Sequence, residues 1–422
     1  MSTPKTLYVG LDLCRDAVQL SCWRSGEDEP RSICQNKEKE VFLIPAVLAY
    51  RKDTGEWFLG EDALQKSKEG KAEKIDHIFD YISQGVTVWT KEREVSAFEL
   101  MSQVLLKSLY LLKNYYPNDA ICSLVVTLVE CNFTLIRLIY ECLIKMGIER
   151  KRIHVTTHDD SFMYYALSQE EKLWSNDVGL FEMSAKGLVY HQLHITKRTN
   201  PMAAGVDSKD CSAYFNGELL NEWGGAEKIQ HFLELSRHLL HKQLLSTIYL
   251  TGSIFEEEWA KGIYGELCSG RRLFIGQNLY TKGACYAAMA ADGCGKIPDM
   301  ILMTENMVTA DISIRAYKDG SVQDIRMIST GMPWYEADQS VDLLSDDCTS
   351  LEILISDMLR KSNVDYTLEL GKIYKRPPKT TRLRVRIRFL DEKTFVISLK
   401  DVGFGANWPS NYRIWEKTIR LA

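Results

Sequence analysis

The chain has 422 residues, 45% of them apolar and 26% charged, proportions that fit a globular protein with core enough for two or three domains. A formal net charge of -5 argues against a nucleic-acid scaffold, because phosphate binding needs a concentrated basic surface. The longest apolar runs, such as 121–129, fall well short of the roughly 20 residues of a membrane helix, and MSTPKTLYVGLDL carries no signal-peptide apolar region. Eleven cysteines with no CxxC pair and no metal-type His/Cys spacing predict free thiols in a reducing cytoplasm and no metal site. The eight histidines are dispersed; His191 with His194, or His238 with His241, are the only near pairs.

In chain order, 7–13 and 17–23 predict two strands joined by a tight turn, and 41–51 a further extended run. Apolar residues at helical spacing predict a helix over 96–113. A buried strand follows at 121–129, a helix over 135–146 stopped by Gly147, a short strand at 153–156 and a helix over 159–168 capped by His158-Asp159 or Asp160. The logic then repeats, with strands at 177–183 and 188–196, a helix over 225–241, a strand at 247–250, a helix over 256–268, a short strand at 272–275 and a helix over 279–291. Two halves that each open on a hairpin and close on strand-helix units predict a duplicated α/β architecture. Gly293, Gly295 and Pro298 mark a linker.

After Met307 the pattern becomes strand-rich. Residues 351–359 read equally as helix or strand. The segment RPPKTTRLRVRIRFLDEKTFVISLKDVGFG alternates Leu383, Val385, Ile387 and Phe389, turns at Asp391, Glu392 and Lys393, and alternates again at Phe395, Ile397 and Leu399, a half-buried antiparallel hairpin. Arg382, Arg384, Arg386 and Arg388 fall on its other, solvated face.

Several segments resemble, in order, those of the DnaK-type, seventy-kilodalton heat-shock chaperones. YVGLDL resembles the first phosphate loop, LIPAVLAY with FLGEDAL two following elements, and SLVVTLVECN with MGIERKRIHVTTHDDSFMYYAL the next strand-helix stretch. Asp177-Val178-Gly179 resembles the start of the second phosphate loop, IYLTGS the adenosine loop and LYTKGACYAAM the last helix. VTADISIRAYKDGS and STGMPWYEADQSVDLLSDDCTSLEILIS resemble strands of the substrate-binding domain. The resemblance implies an actin-like, ribonuclease H-like duplicated domain over 1–296 (lobe I about 1–170, lobe II about 171–296), a linker over 297–307 and a β-sandwich over 308–422. The family's helical lid has no counterpart in the about 17 residues after Gly405.

The departures bear on function. Asp12 is followed by Leu13, Cys14, Arg15 and Asp16 where the family has small, hydroxylated residues, so bulk and a like charge oppose a phosphate. In the second loop Leu180, Phe181 and Glu182 replace two glycines and a threonine. Thr251 replaces the first adenosine-loop glycine. By resemblance, a retained nucleotide site would use Asp12, Asp177, Gly179, Gly252 and Ser253; the preferred reading of the two aspartates is that they cap turns. A peptide cleft would use Val341, Leu344, Leu351 and Ile353 with Tyr317 at its rim, Lys318 replacing an apolar arch residue, and Asp346 and Asp347 favouring positively charged flanks; equally, the four apolar residues fill the core.

The expectation is a non-catalytic, chaperone-like cytoplasmic protein that binds a protein or extended peptide segment, another chaperone-like protein included, with no nucleic acid, membrane, metal or cofactor. The alternative is an ATPase of the same superfamily that binds ATP and Mg²⁺, or another phosphorylated ligand, through a rewired site.

Overall fold

The structure is a computed structural model that describes residues 5–421 except 37–40, 92, 198–200, 296, 299, 305, 346–348, 358–361, 372–375 and 378. It divides into two compact units, Met1–Leu302 and Met303–Ala422.

The first unit is mixed α/β. It opens with strands β1 (Thr6–Leu13), β2 (Ala17–Arg24), β3 (Arg31–Ile33), β4 (Ile44–Pro45), β5 (Leu48–Arg51) and β6 (Glu56–Leu59). Helix α1 (Glu61–Lys68), strand β7 (Glu73–Ile75), helix α2 (Ile78–Gln84) and the short strands β8 (Val88–Trp89) and β9 (Glu94–Val95) lead to α3 (Ala97–Lys113). Then come β10 (Ala120–Leu128), α4 (Phe133–Lys145), β11 (Ile153–Thr157) and α5 (His158–Leu167). The second run has β12 (Asp177–Ser184), β13 (Gly187–Thr196), β14 (Met202–Asp210), α6 (Gly217–Glu222), α7 (Gly225–Leu239), β15 (Leu245–Thr251), α8 (Lys261–Leu267), β16 (Arg272–Ile275), α9 (Leu279–Ala291) and β17 (Met300–Met303).

Two six-stranded sheets organise the unit, in the orders β11-β10-β1-β2-β3, with β4 on β2, and β16-β15-β12-β13-β14-β17. In each, the first strand pairs antiparallel with its hairpin partner on one side and parallel with a later strand on the other. From Leu7 to Leu13 every residue of β1 is buried, so the strand does not alternate, and Asp12 is a charge within an otherwise apolar run. Ser96 and Asn132 cap α3 and α4 by accepting backbone N–H groups of the first turn.

Several expectations differ from the structure: α1, α2 and α6 have no expectation, and β17 lies within the expected linker 297–307, next to β14 in the second sheet. Strand β14 has no prediction, because MAAGVDSKD is neither continuously apolar nor clearly alternating; pairing to β13 supplies what propensity does not. The helix expected over 256–268 begins only at Lys261, after two 3₁₀ turns. The cap of α5 is Thr157, not His158, Asp159 or Asp160: the Thr157 hydroxyl accepts the Asp160 N–H at 3.3 Å while the Asp160 carboxylate accepts the Thr157 N–H at 3.3 Å.

The second unit is sheet-rich, with β18 (Ala310–Lys318), β19 (Ser321–Ile328), β20 (Asp338–Ser345), β21 (Ser350–Asp357), β22 (Ser362–Glu369), β23 (Thr381–Phe389), β24 (Thr394–Asp401) and β25 (Ile414–Arg420). They form two four-stranded antiparallel sheets, β19-β18-β21-β22 and β20-β23-β24-β25. The ambiguous segment near 351 is strand β21. Asp391 closes the β23–β24 turn by accepting the Lys393 and Thr394 N–H groups at 2.9 and 2.6 Å. The arginine face of β23 is laced to β20: Arg384 donates to Asp342 at 2.8 and 3.1 Å, and Arg386 pairs with Asp338. Among the described residues no helix is long and apolar enough to cross a membrane, and every described cysteine is free.

Candidate functional site

The carboxyl ends of β1 and β12 converge on one side chain, His158, at the start of α5. Its Nε2 lies 2.8 Å from Asp12 Oδ1, and its Nδ1 lies 3.8 Å from Glu182 Oε1. The first is a hydrogen bond; the second is too long for one, so Nδ1 is buried without a partner. The imidazole stacks on Tyr280 with ring centroids 3.8 Å apart, and the Tyr280 hydroxyl donates to Glu182 Oε2 at 2.6 Å. Glu182 also faces His191 Nε2 at 3.2 Å, and His191 Nδ1 lies 2.7 Å from both Asp159 Oδ1 and Ser208 Oγ. Cys14 completes the set, with Sγ 3.3 Å from Asp12 Oδ1 and 3.7 Å from His158 Nε2.

Strand parity explains the grouping. Leu180 pairs with His191 and His191 with Ser208, so Leu180, Glu182, His191 and Ser208 share one face of β12-β13-β14. Helix α9 brings Tyr280 down by unusually close approaches. A Cβ on Gly10 of β1 would lie 2.0 Å from the Thr281 carbonyl oxygen, and one on Gly283 would lie 1.9 Å from that of Ser161 in α5. The Thr281 and Ser21 hydroxyls are bonded at 2.7 Å. Cys14 is fixed by its N–H donating to the Ala17 carbonyl at 2.9 Å, which closes the β1–β2 turn.

The charges in this buried cluster alternate in sign. Burial pulls the His158 imidazole down, but the Asp12 carboxylate more than offsets it and leaves it well above the usual histidine range. His191 is likewise opposed by burial and then raised to about 9 by Asp159 and Glu182. Burial pushes Glu182 up, yet the two histidines hold it well below the usual carboxylate range. Burial and then Asp12 push the Cys14 thiol up to about 12, so it is protonated at neutral pH. Burial drives the Tyr280 phenol far up, so it is a donor throughout.

Of the residues expected at a nucleotide site, the structure brings Asp12, Gly252 and Ser253 to these strand ends and places Asp177 and Gly179 elsewhere on β12. Asp177 is the first residue of β12, about 16 Å along the strand from Glu182 and, at odd spacing, on the opposite face. It accepts from Gln192 Nε2 at 2.9 Å, from the Ile195 N–H at 3.2 Å and bonds His194 Nδ1 at 2.7 Å. His191 and His194 therefore do not pair. Gly179 sits mid-strand under the Tyr190 ring. The stretch 177–182 is strand, not loop; the turn follows Ser184. Phe181 and Leu180 are core residues. Gly252, at φ 116, sits where a Cβ would lie 2.4 Å from the Met183 carbonyl oxygen, and its N–H donates to Gln277. Ser253 begins a 3₁₀ turn beside it. Arg15 reaches away to Asp80 at 2.8 Å. His158, His191 and Tyr280 have no expectation as site residues, and Glu182 is expected only as a charge opposing phosphate; the signal for the cluster is that carboxylate following the apolar Leu180-Phe181 in β12.

The expected peptide cleft does not form as a single surface. Leu351 and Ile353 are buried, facing inward on β21. Val341 and Leu344 belong to the other sheet and, three residues apart, face opposite ways; Leu344 is half exposed. Tyr317 is exposed at the end of β18, paired with exposed Val322. Asp346 and Asp347 lie outside the described residues.

Fold and site together define a mixed α/β protein with a buried acid–histidine cluster where the central strands of two like-ordered sheets end. The chain belongs to the family of unknown function (DUF5716), whose C-terminal model matches residues 29–305. Residues 307–421 match a domain of unknown function (DUF8552). No curated protein matches the chain.

Proposed function

We propose that residues 1–296 are an actin-like, chaperone-ATPase-like domain in two lobes, that 308–422 are a β-sandwich of the chaperone substrate-domain type, and that the protein acts by holding a protein or an extended peptide without turning over nucleotide. The shared strand order of the two six-stranded sheets supports a duplicated architecture. The alternating sheets of the second unit, with one face of each buried, support the sandwich.

The observation that carries the non-catalytic reading is the cluster at the strand ends. A nucleotide phosphate needs converging backbone N–H groups and a counter-cation. Here the same position holds the Asp12–His158–Glu182–His191–Asp159 chain of paired side chains, and two of its carboxylates would face the phosphate. An incoming phosphate would have to break buried pairs, at a cost of several kcal/mol each. Interaction then falls to surfaces such as the exposed Tyr317–Val322 hairpin end.

Calorimetric titration of the full chain with ATP and ADP, with and without Mg²⁺, tests this reading. The expected result is no saturable binding and no hydrolysis above background. Micromolar binding that disappears in Asp12→Ala would replace it with a phospho-ligand-binding enzyme.

A further inference from the structure

We propose that Asp12, Cys14 and His158 form a binding site for one zinc-class divalent cation, with Glu182 orienting the histidine from behind. Zinc takes thiolate, imidazole and carboxylate donors at about 2.3, 2.0 and 2.0 Å, which places tetrahedral donors about 3.3–3.5 Å from one another. The donor atoms stand 3.3 Å (Sγ to Oδ1), 3.7 Å (Sγ to Nε2) and 2.8 Å (Oδ1 to Nε2) apart. The two sulfur edges need to adjust by only about 0.2 Å; the last must open by about half an ångström, and it is the edge now closed by a hydrogen bond. The three atoms belong to a strand end, a tight turn and a helix start, each fixed by backbone pairing or capping, so the set is largely pre-formed.

A second observation points the same way. Metal-bound histidines present their other ring nitrogen to a carboxylate. His158 Nδ1 is fully buried, has no hydrogen-bond partner, and faces Glu182 Oε1 at 3.8 Å. Glu182 is itself held by Tyr280 and His191. Charge and protons balance. The Cys14 thiol proton and the His158 Nε2 proton leave to solvent, while Nδ1–H stays toward Glu182. A divalent cation with one thiolate, one carboxylate and one neutral imidazole is a neutral unit, suited to a buried place. A water supplies the fourth ligand past Cys14, the least buried of the three. The mixed sulfur, nitrogen and oxygen set selects zinc over Mg²⁺ or Ca²⁺, which prefer oxygen alone.

The inference stands apart from the interaction reading, since it requires nothing of nucleotide or partner. The test uses the full chain stripped with a chelator, then titrated with Zn²⁺ or with Co²⁺ as a visible probe. The expected results are one ion per chain, a cobalt–thiolate charge-transfer band, and a raised unfolding midpoint on Zn²⁺ addition. Cys14→Ser should remove the band and weaken Zn²⁺ by more than about 100-fold, and Glu182→Gln should weaken it by about 10- to 100-fold. Cys268→Ser and Cys294→Ser, at exposed thiols, should change neither. X-ray absorption at the zinc edge on the wild-type chain should resolve one sulfur neighbour, a readout that does not depend on any variant folding. Absence of Zn²⁺ uptake, a zinc edge without sulfur, or a Cys14→Ser chain with unchanged affinity and band would each overturn the assignment.

Discussion

Raising the pH through the range about 6.5 to 9 should weaken the first unit by roughly 3 kcal/mol through His191 alone. The groups facing its ring are Glu182 from β12, Asp159 from α5 and the Ser208 hydroxyl from β14, with Tyr280 of α9 acting through Glu182. In the folded chain these raise the His191 pKa from 6.5 to about 9. A folded value above the unfolded one means that the native state binds the extra proton between the two. The stabilisation is therefore complete below the unfolded value and is lost as pH rises through the folded one. A shift of about 2.5 units at about 1.4 kcal/mol per unit gives the figure, and the side chain is buried, so solvent screening takes little from it. The assay is urea unfolding across that range in the presence of chelator, for the wild type and His191→Gln. The wild-type minus variant difference should shrink steadily with rising pH. His191→Gln should also be less stable at low pH, because the partly buried Glu182 and Asp159 carboxylates then lack their cation. A difference that is constant with pH, or that grows, would refute the alternating-charge description of the site.

Three further outcomes follow from packing. Gly283→Ala places a methyl 1.9 Å from the Ser161 carbonyl oxygen, so α9 must move off α5; calorimetry should show a loss of at least about 2 kcal/mol. Arg376→Ala in the second unit strands the buried Asp401 carboxylate, which Arg376 meets at 3.2 and 2.8 Å, and should cost about 3–5 kcal/mol in urea unfolding. Ile353→Ala should cost about 2–5 kcal/mol, whereas Leu344→Ala should stay within about 0.5 kcal/mol; comparable losses would return the four residues to one surface.

Local elements were legible in the sequence wherever one physical signal dominated. The hairpin of β23 and β24 shows in the strict alternation Leu383 to Phe389 and Phe395 to Leu399, because one face is buried and the other solvated. Helix α3 shows in its apolar spacing and the Ser96 cap. Strand β14 is not legible, since its order comes from β13. The site was hidden for the same kind of reason. Asp12 is conspicuous at the end of an apolar strand, but its partners His158 and Glu182 lie 146 and 170 residues away, and no spacing rule connects them. Reading Asp177 as the second site carboxylate followed from a motif's starting residue. The register of β12 against β13 and β15 decides otherwise, because five positions along a strand change both the end and the face. The sequence by itself determines most of the long, strongly patterned strands and helices and which of their faces must be buried. Only the tertiary structure decides which strand ends meet, and thus that two histidines, three carboxylates and a thiol from distant segments share one largely buried volume where their charges must pair.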